Sequence, residues 1–286
     1  MKRLNTYITE YIIKKKLDKP IYSEDHYEYH PENKKQLIRN ISELFKKGET
    51  NLNCIDTSKI TDMSNLFYYE KSKNISFDVS GWDVSKVKYM QYMFHGLKNF
   101  DCDLSKWNVS NVTDMSCMFE GCNKFEGKGL ENWNVSNVTN MSNMFQLCDN
   151  FTGKGLENWD VSNVIYIHHM FFVCTNFNCD LSNWDISNIT DISFMFYCCK
   201  NFKGEGLENW DVRNIKRMSS VFANCENFDC DLSNWDVSNV TDMYNMFYNC
   251  KNFNCNLSNW NVSKVKDMTY IFDGCTSLKN KPSWYN

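Results

Sequence analysis

The chain has 286 residues, a formal net charge of −4, 42% hydrophobic residues and 14 cysteines. Residues 1–50 carry 11 Lys and Arg against 8 Asp and Glu, and the remainder is acidic. No basic stripe marks a nucleic-acid interface, and no apolar run of about 18 residues marks a membrane span. The basic start Met1-Lys2-Arg3 is followed by interrupted apolar stretches with no cleavage site, so no export signal is legible. The expected location is cytoplasmic or the interior of a host cell, with the cell surface as the alternative.

Residues 1–50 read as an N-terminal helical cap. Leu4, Tyr7, Ile8, Tyr11 and Ile12 fall at helical spacing, as do Leu37, Ile38, Ile41, Leu44 and Phe45 before Gly48. Such a cap covers the open apolar end of a stack of repeats.

From residue 51 to residue 286 the chain repeats itself. Its nine Trp, at 82, 107, 133, 159, 184, 210, 235, 260 and 284, are 24–26 residues apart. A fixed period of this size signals coils stacked in a solenoid. About nine coils are expected. Within the unit from Trp235, the residues Val240, Met243, Met246, Phe247 and Cys250 share one side of a short helix. Phe253, Cys255 and Leu257 alternate as a strand does. The expected coil is therefore a strand, a polar turn and a short helical turn, with the strands aligned in one parallel sheet. Before Trp133, Trp159 and Trp210 a Gly-Lys-Gly or Gly-Glu-Gly segment adds one residue, which predicts a bulge.

Two sets of residues stay fixed through the repeats. One is the Trp column: Trp107, Trp133, Trp159, Trp184, Trp210, Trp235 and Trp260. The other is Cys122, Cys148, Cys174, Cys199, Cys225 and Cys250, continued by Cys275. A column of cysteines reads as buried thiols filling a core. No CxxC or periodic His accompanies them, so no metal and no cofactor are expected. Cys117 and Cys198 fall outside the column and read as the accessible thiols. Recurrent Asp and the sequons at Asn108, Asn111, Asn134, Asn137, Asn188, Asn239 and Asn261 read as turn chemistry, and no catalytic set is copied into one place.

The motif Trp-Asp-Val-Ser-Asn-Val-Thr-Asp-Met-x-Asn-Met-Phe with Cys three residues on resembles the repeat of BspA-like leucine-rich-repeat surface proteins. The resemblance covers about residues 52–286. It implies an α/β solenoid, a right-handed leucine-rich-repeat-like stack, and a role in adhesion or protein binding. The function expected is a non-enzymatic protein-binding scaffold. The alternatives are a bacterial-type surface adhesin and a structural phage- or virus-associated protein. The partner expected is another protein, not nucleic acid. The charged, Pro-bearing end around Lys279, Lys281 and Pro282 predicts a monomer.

Specificity belongs where repeats differ. The unit 165–172 departs furthest from consensus, and the next supplies further aromatics. The expected binding patch is Tyr166, His168, His169, Phe172, Phe194 and Tyr197, with Arg217 at its rim.

Overall fold

A computed structural model describes residues 27–68 and 75–285. The helix expected over residues 4–12 lies outside the described residues. The second expected helix is present as α1, Lys34–Lys46. Asn33 caps it by accepting the Gln36 N–H at 3.1 Å. Leu37, Ile41 and Leu44 are its buried face and join the same core as the repeats. Phe45 lies 5.5 Å from Phe77 between ring centroids. The segment ahead of α1 pairs with the first coil through a parallel bridge between Tyr29 and Ile55.

Beyond α1 each coil lies on the next, and the bonds that tie them are legible in the coil from Trp235. The N–H groups of Met243, Asn245, Phe247 and Asn249 donate to the carbonyls of Asp267, Thr269, Ile271 and Asp273 at 2.7–3.0 Å. The intervening N–H groups of Met246, Tyr248 and Cys250 close turns onto residues three earlier, at 3.0–3.1 Å. Half the donors therefore shape the coil and half join it to its neighbour. Asn245 and Asn249 take φ of 55° and 57°, and the equivalent described residues of the other coils also have positive φ.

This segment differs from the expected helical turn. A helix would spend its N–H groups within itself and leave none for the neighbouring coil. The spacing of Val240, Met243, Met246, Phe247 and Cys250 records only which side chains share the inner side. A chain of three-residue turns meets that condition equally well. Among the described residues, the only helical pieces after α1 are the 3₁₀ turns Leu130–Asn132 and Leu207–Asn209. Phe253 and Leu257 are fully buried and Cys255 is nearly so, with exposed residues between them. The burial alternates as expected, yet parallel pairing on this segment is confined, among the described residues, to the first coil's bridge Asn51–Asp78, and the other bridges between coils run in the column Asp62, Tyr89, Asp114, Asn140, Tyr166, and again Asp191, Arg217, Asp242, Asp267.

The core consists of aromatic ladders. Phe119, Phe145, Phe171, Phe196, Phe222 and Phe247 stack coil on coil at 5.6–5.9 Å with planes within 15°. Trp133 and Trp159 stack at 6.3 Å, Trp235 and Trp260 at 6.5 Å. Every Trp of the repeat also donates its Nε1–H to a carbonyl of the preceding coil, as Trp184 does to Leu156 at 2.9 Å. The indole thus buries a large apolar surface and satisfies its single donor.

The inserted glycines do not form a β-bulge, since among the described residues no bridge involves Gly127, Gly129 or their equivalents. Gly127 and Gly129 take φ of 84° and 96°, and Gly129 leads into the 3₁₀ turn Leu130–Asn132. A Cβ on Gly129 would fall on the backbone of Leu104 and Ser105. Gly129→Ala is expected to lower unfolding free energy by about 3 kcal/mol, combining a left-handed penalty with the overlap. Gly121→Ala, whose Cβ meets only Gly96 at 3.4 Å or more, is expected to lose about 1 kcal/mol. Urea unfolding of the two variants measures the difference.

Candidate interaction face

The cysteine column is structural. Cys122, Cys148, Cys174, Cys199, Cys225 and Cys250 are fully buried. Each Sγ donates to the carbonyl of a Phe in the preceding coil, at 2.8–3.1 Å. Burial pushes these thiols up, far from the thiolate form that reacts. No disulfide joins any of the 14 cysteines. Cys198 is partly exposed, as expected, but Cys117 is buried, lying against Tyr92 and Glu120.

The repeated polar residues are occupied in the same way. Asp160 and Asp236 accept the N–H of the residue two places on, which closes an Asx turn. The side-chain amides of Asn111, Asn137, Asn188 and Asn239 donate to carbonyls of Ser85, Ser110, Ser162 and Arg213 in the preceding coil, at 2.7–2.9 Å. The amide nitrogens of these sequons thus hold the stack together.

One strip of each coil breaks this regularity. It comprises residues 241–249 and their equivalents, the ribbon of turns described above. The exposed large apolar side chains among the described residues are Tyr68, Tyr89, Tyr92, Leu147, Ile165, Tyr166, Tyr244 and Tyr270, and all fall on this ribbon. The buried oxygens Gln91 Oε1, Ser220 Oγ and Asn245 Oδ1, which have no hydrogen-bond partner, lie on it too. The column of bridges is interrupted on it, between Tyr166 and Asp191.

Five of the seven sequence-predicted residues come together at that interruption. His169 stacks on Phe194 at 4.8 Å and 15°, and Phe172 stacks on Tyr197 at 4.8 Å and 9°. The two pairs meet, with Phe172 and Phe194 6.3 Å apart. His168 Nδ1 is 3.1 Å from His169 Nδ1. Tyr166 stands beside this cluster in sequence and is 56% exposed. Arg217 is engaged by Asp191, with Nε and Nη2 on Oδ2 at 2.8 and 2.7 Å. Burial lowers the pKa of His169, and the neighbouring His168 lowers it further. Burial alone would raise Asp191, but hydrogen bonds from Ser193 and Arg217 outweigh it and hold the carboxyl below its ordinary range.

Four contributors lie outside the expected patch: Ile165, Asp191, Leu147 and Val173. Leu147 and Val173 have φ of 61° and 59°. Their column elsewhere holds Gly96, Gly121, Asn224, Asn249 and Gly274, residues that tolerate a left-handed backbone, and Cys198, which shares the positive φ at 60°. A β-branched residue there is strained, and local strain concentrates at functional sites. Val173→Asn is expected to raise unfolding free energy by about 1 kcal/mol, measured by chemical denaturation. An aromatic group also occurs nearer the N-terminus, where Tyr92 meets His95 at 5.6 Å and His95 Nδ1 lies 3.3 Å from Glu120.

Bonded coils, internal aromatic ladders and one variable ribbon define a tandem-repeat protein. Residues 37–129, 121–206 and 199–286 match in succession the family described as "Mycoplasma protein of unknown function, DUF285". The chain belongs to that family, as three tandem copies of its unit. No curated protein and no solved structure matches it. Among the described residues, no helix is long and apolar enough to cross a membrane.

Proposed function

We propose that this chain is a non-enzymatic scaffold that binds another protein through the ribbon face of a right-handed, leucine-rich-repeat-like solenoid. The observation that carries this reading is the placement of the exposed large apolar side chains, all on one ribbon of the coil. Elsewhere in the coil, Asp160 and Asp236 close turns and Asn137 and Asn188 bond the preceding coil. Rigid aromatic groups clustered on a polar surface supply the anchors of protein interfaces, and a contiguous apolar patch on a soluble protein marks an interaction site. The stack holds these anchors in register at low entropic cost. An adhesin with the architecture of BspA-like proteins would use the same face and differ in where its partner resides.

A photo-crosslinking residue placed at Tyr166, Tyr244 or Asn183 tests this reading in cells of the source organism. Asn183 lies off the ribbon, with its amide on the Glu157 carbonyl. One discrete crosslinked species from Tyr166 or Tyr244, and none from Asn183, is the expected result. A discrete species from Asn183 alone would overturn the reading.

A further inference from the structure

Residues 168 and 169 are His-His, where the same positions hold Ser142-Asn143 in the coil before and Ser193-Phe194 in the coil after. Adjacent side chains point to opposite faces of a strand and diverge around a helix, so neighbouring histidines do not ordinarily converge. His169 differs because its φ is 59°. That turn brings its ring back on its neighbour, with the planes at 87° and the two Nδ1 atoms 3.1 Å apart. Imidazole nitrogens sit about 2.0–2.1 Å from a zinc ion. Two such nitrogens at the observed separation subtend an angle of roughly 100° at the ion, between square and tetrahedral values.

We propose that His168 and His169 form a two-nitrogen chelate for a divalent transition-metal ion of the Zn²⁺, Ni²⁺ or Co²⁺ class, bound through both Nδ1 atoms. Each ring then carries its proton on Nε2, so the ring that donates the Nδ1–Nδ1 hydrogen bond shifts its tautomer on binding. Stacking on Phe194 holds one ligand in place before the ion arrives. The Asp191 carboxylate acts on His169 electrostatically and adds favourable charge. Arg217 and the Ser193 N–H already occupy its oxygens, so it is not assigned as a ligand. Among the described residues, no group of three or more His, Cys, Asp or Glu could hold a metal. The remaining positions therefore belong to water. The pair occurs in one coil only, unlike the Asp and Asn of the turns.

The test uses the full chain with reduced thiols and Co²⁺ or Zn²⁺ alone, followed by calorimetry and, for Co²⁺, absorption. Because no protein partner is present, the result stands apart from the scaffold reading. The expected result is one saturable equivalent, with a Co²⁺ spectrum lacking a thiolate charge-transfer band. His168→Ser and His169→Asn restore residues that the neighbouring coil carries at these positions. Each should weaken binding about tenfold or more, and together they should abolish it. His95→Gln and Cys198→Ser should bind as the parent does. Unchanged binding in the double variant, a thiolate band, or no saturable equivalent in the parent would each overturn the proposal.

Discussion

Trp184→Ala is expected to lower the unfolding free energy by about 4 kcal/mol for the lost ring. A further ~1–3 kcal/mol follows from the Leu156 carbonyl, left buried without its donor. Trp184 is 3% exposed, packs 6.2 Å from Phe171, and lies mid-stack. Stability in such a chain is a sum of coil terms and nearest-neighbour terms, so a broken middle interface decouples the two ends. Urea unfolding followed by circular dichroism should show the parent's transition divided into two. Trp284, half-buried, with its Nε1 on the Leu257 carbonyl at 2.8 Å, is expected to lose less on the same replacement and to leave the transition undivided. Equal losses at the two positions would contradict the coil-by-coil account.

Joint replacement of Phe172 by Gln and Phe194 by Asn is expected to weaken partner binding by at least ~30-fold. That is the loss from one interface anchor of about 2 kcal/mol, and the two rings touch, so their losses need not add. Gln146 and Asn143 hold the equivalent positions one coil or more away, so the replacements suit the local backbone. Phe194 has φ of 59° and Asn143 of 60°. The melting temperature should therefore stay close to the parent's while the dissociation constant, measured by calorimetry with the crosslinked partner once purified, rises. A fall in both would assign the rings to stability.

The repeat register was legible because a stacked core needs the same residue in every coil. Trp133 and Trp159, Cys148 and Cys174, and the stop of α1 near Gly48 could all be read from spacing. The aromatic patch was legible as well, since His169, Phe172, Phe194 and Tyr197 place aromatic rings in two successive coils, at positions where the coil before carries Asn143 and Gln146. The bonds were not. Val240, Met243, Met246 and Phe247 have the spacing of a helix face, but spacing is silent on whether an N–H closes a turn or reaches the next coil. Gly127 and Gly129 suggested a bulge because the surrounding segment was read as a strand. Leu147 and Val173 were missed for a related reason. Their column looks like drift until the positive φ of Gly96, Asn224 and Asn249 shows that the position selects for backbone conformation, and that apolar residues there carry a cost.

The central claim is that the ribbon of turns is the surface a partner protein covers. Radical footprinting of tyrosine and histidine side chains, with and without the purified partner, tests it most directly. Tyr166, 56% exposed, and the neighbouring His168 and His169 should lose labelling in the complex, while Tyr29, on the α1 side of the stack, keeps its own. Undiminished labelling at Tyr166 and the His168–His169 pair in a saturated complex would contradict the account.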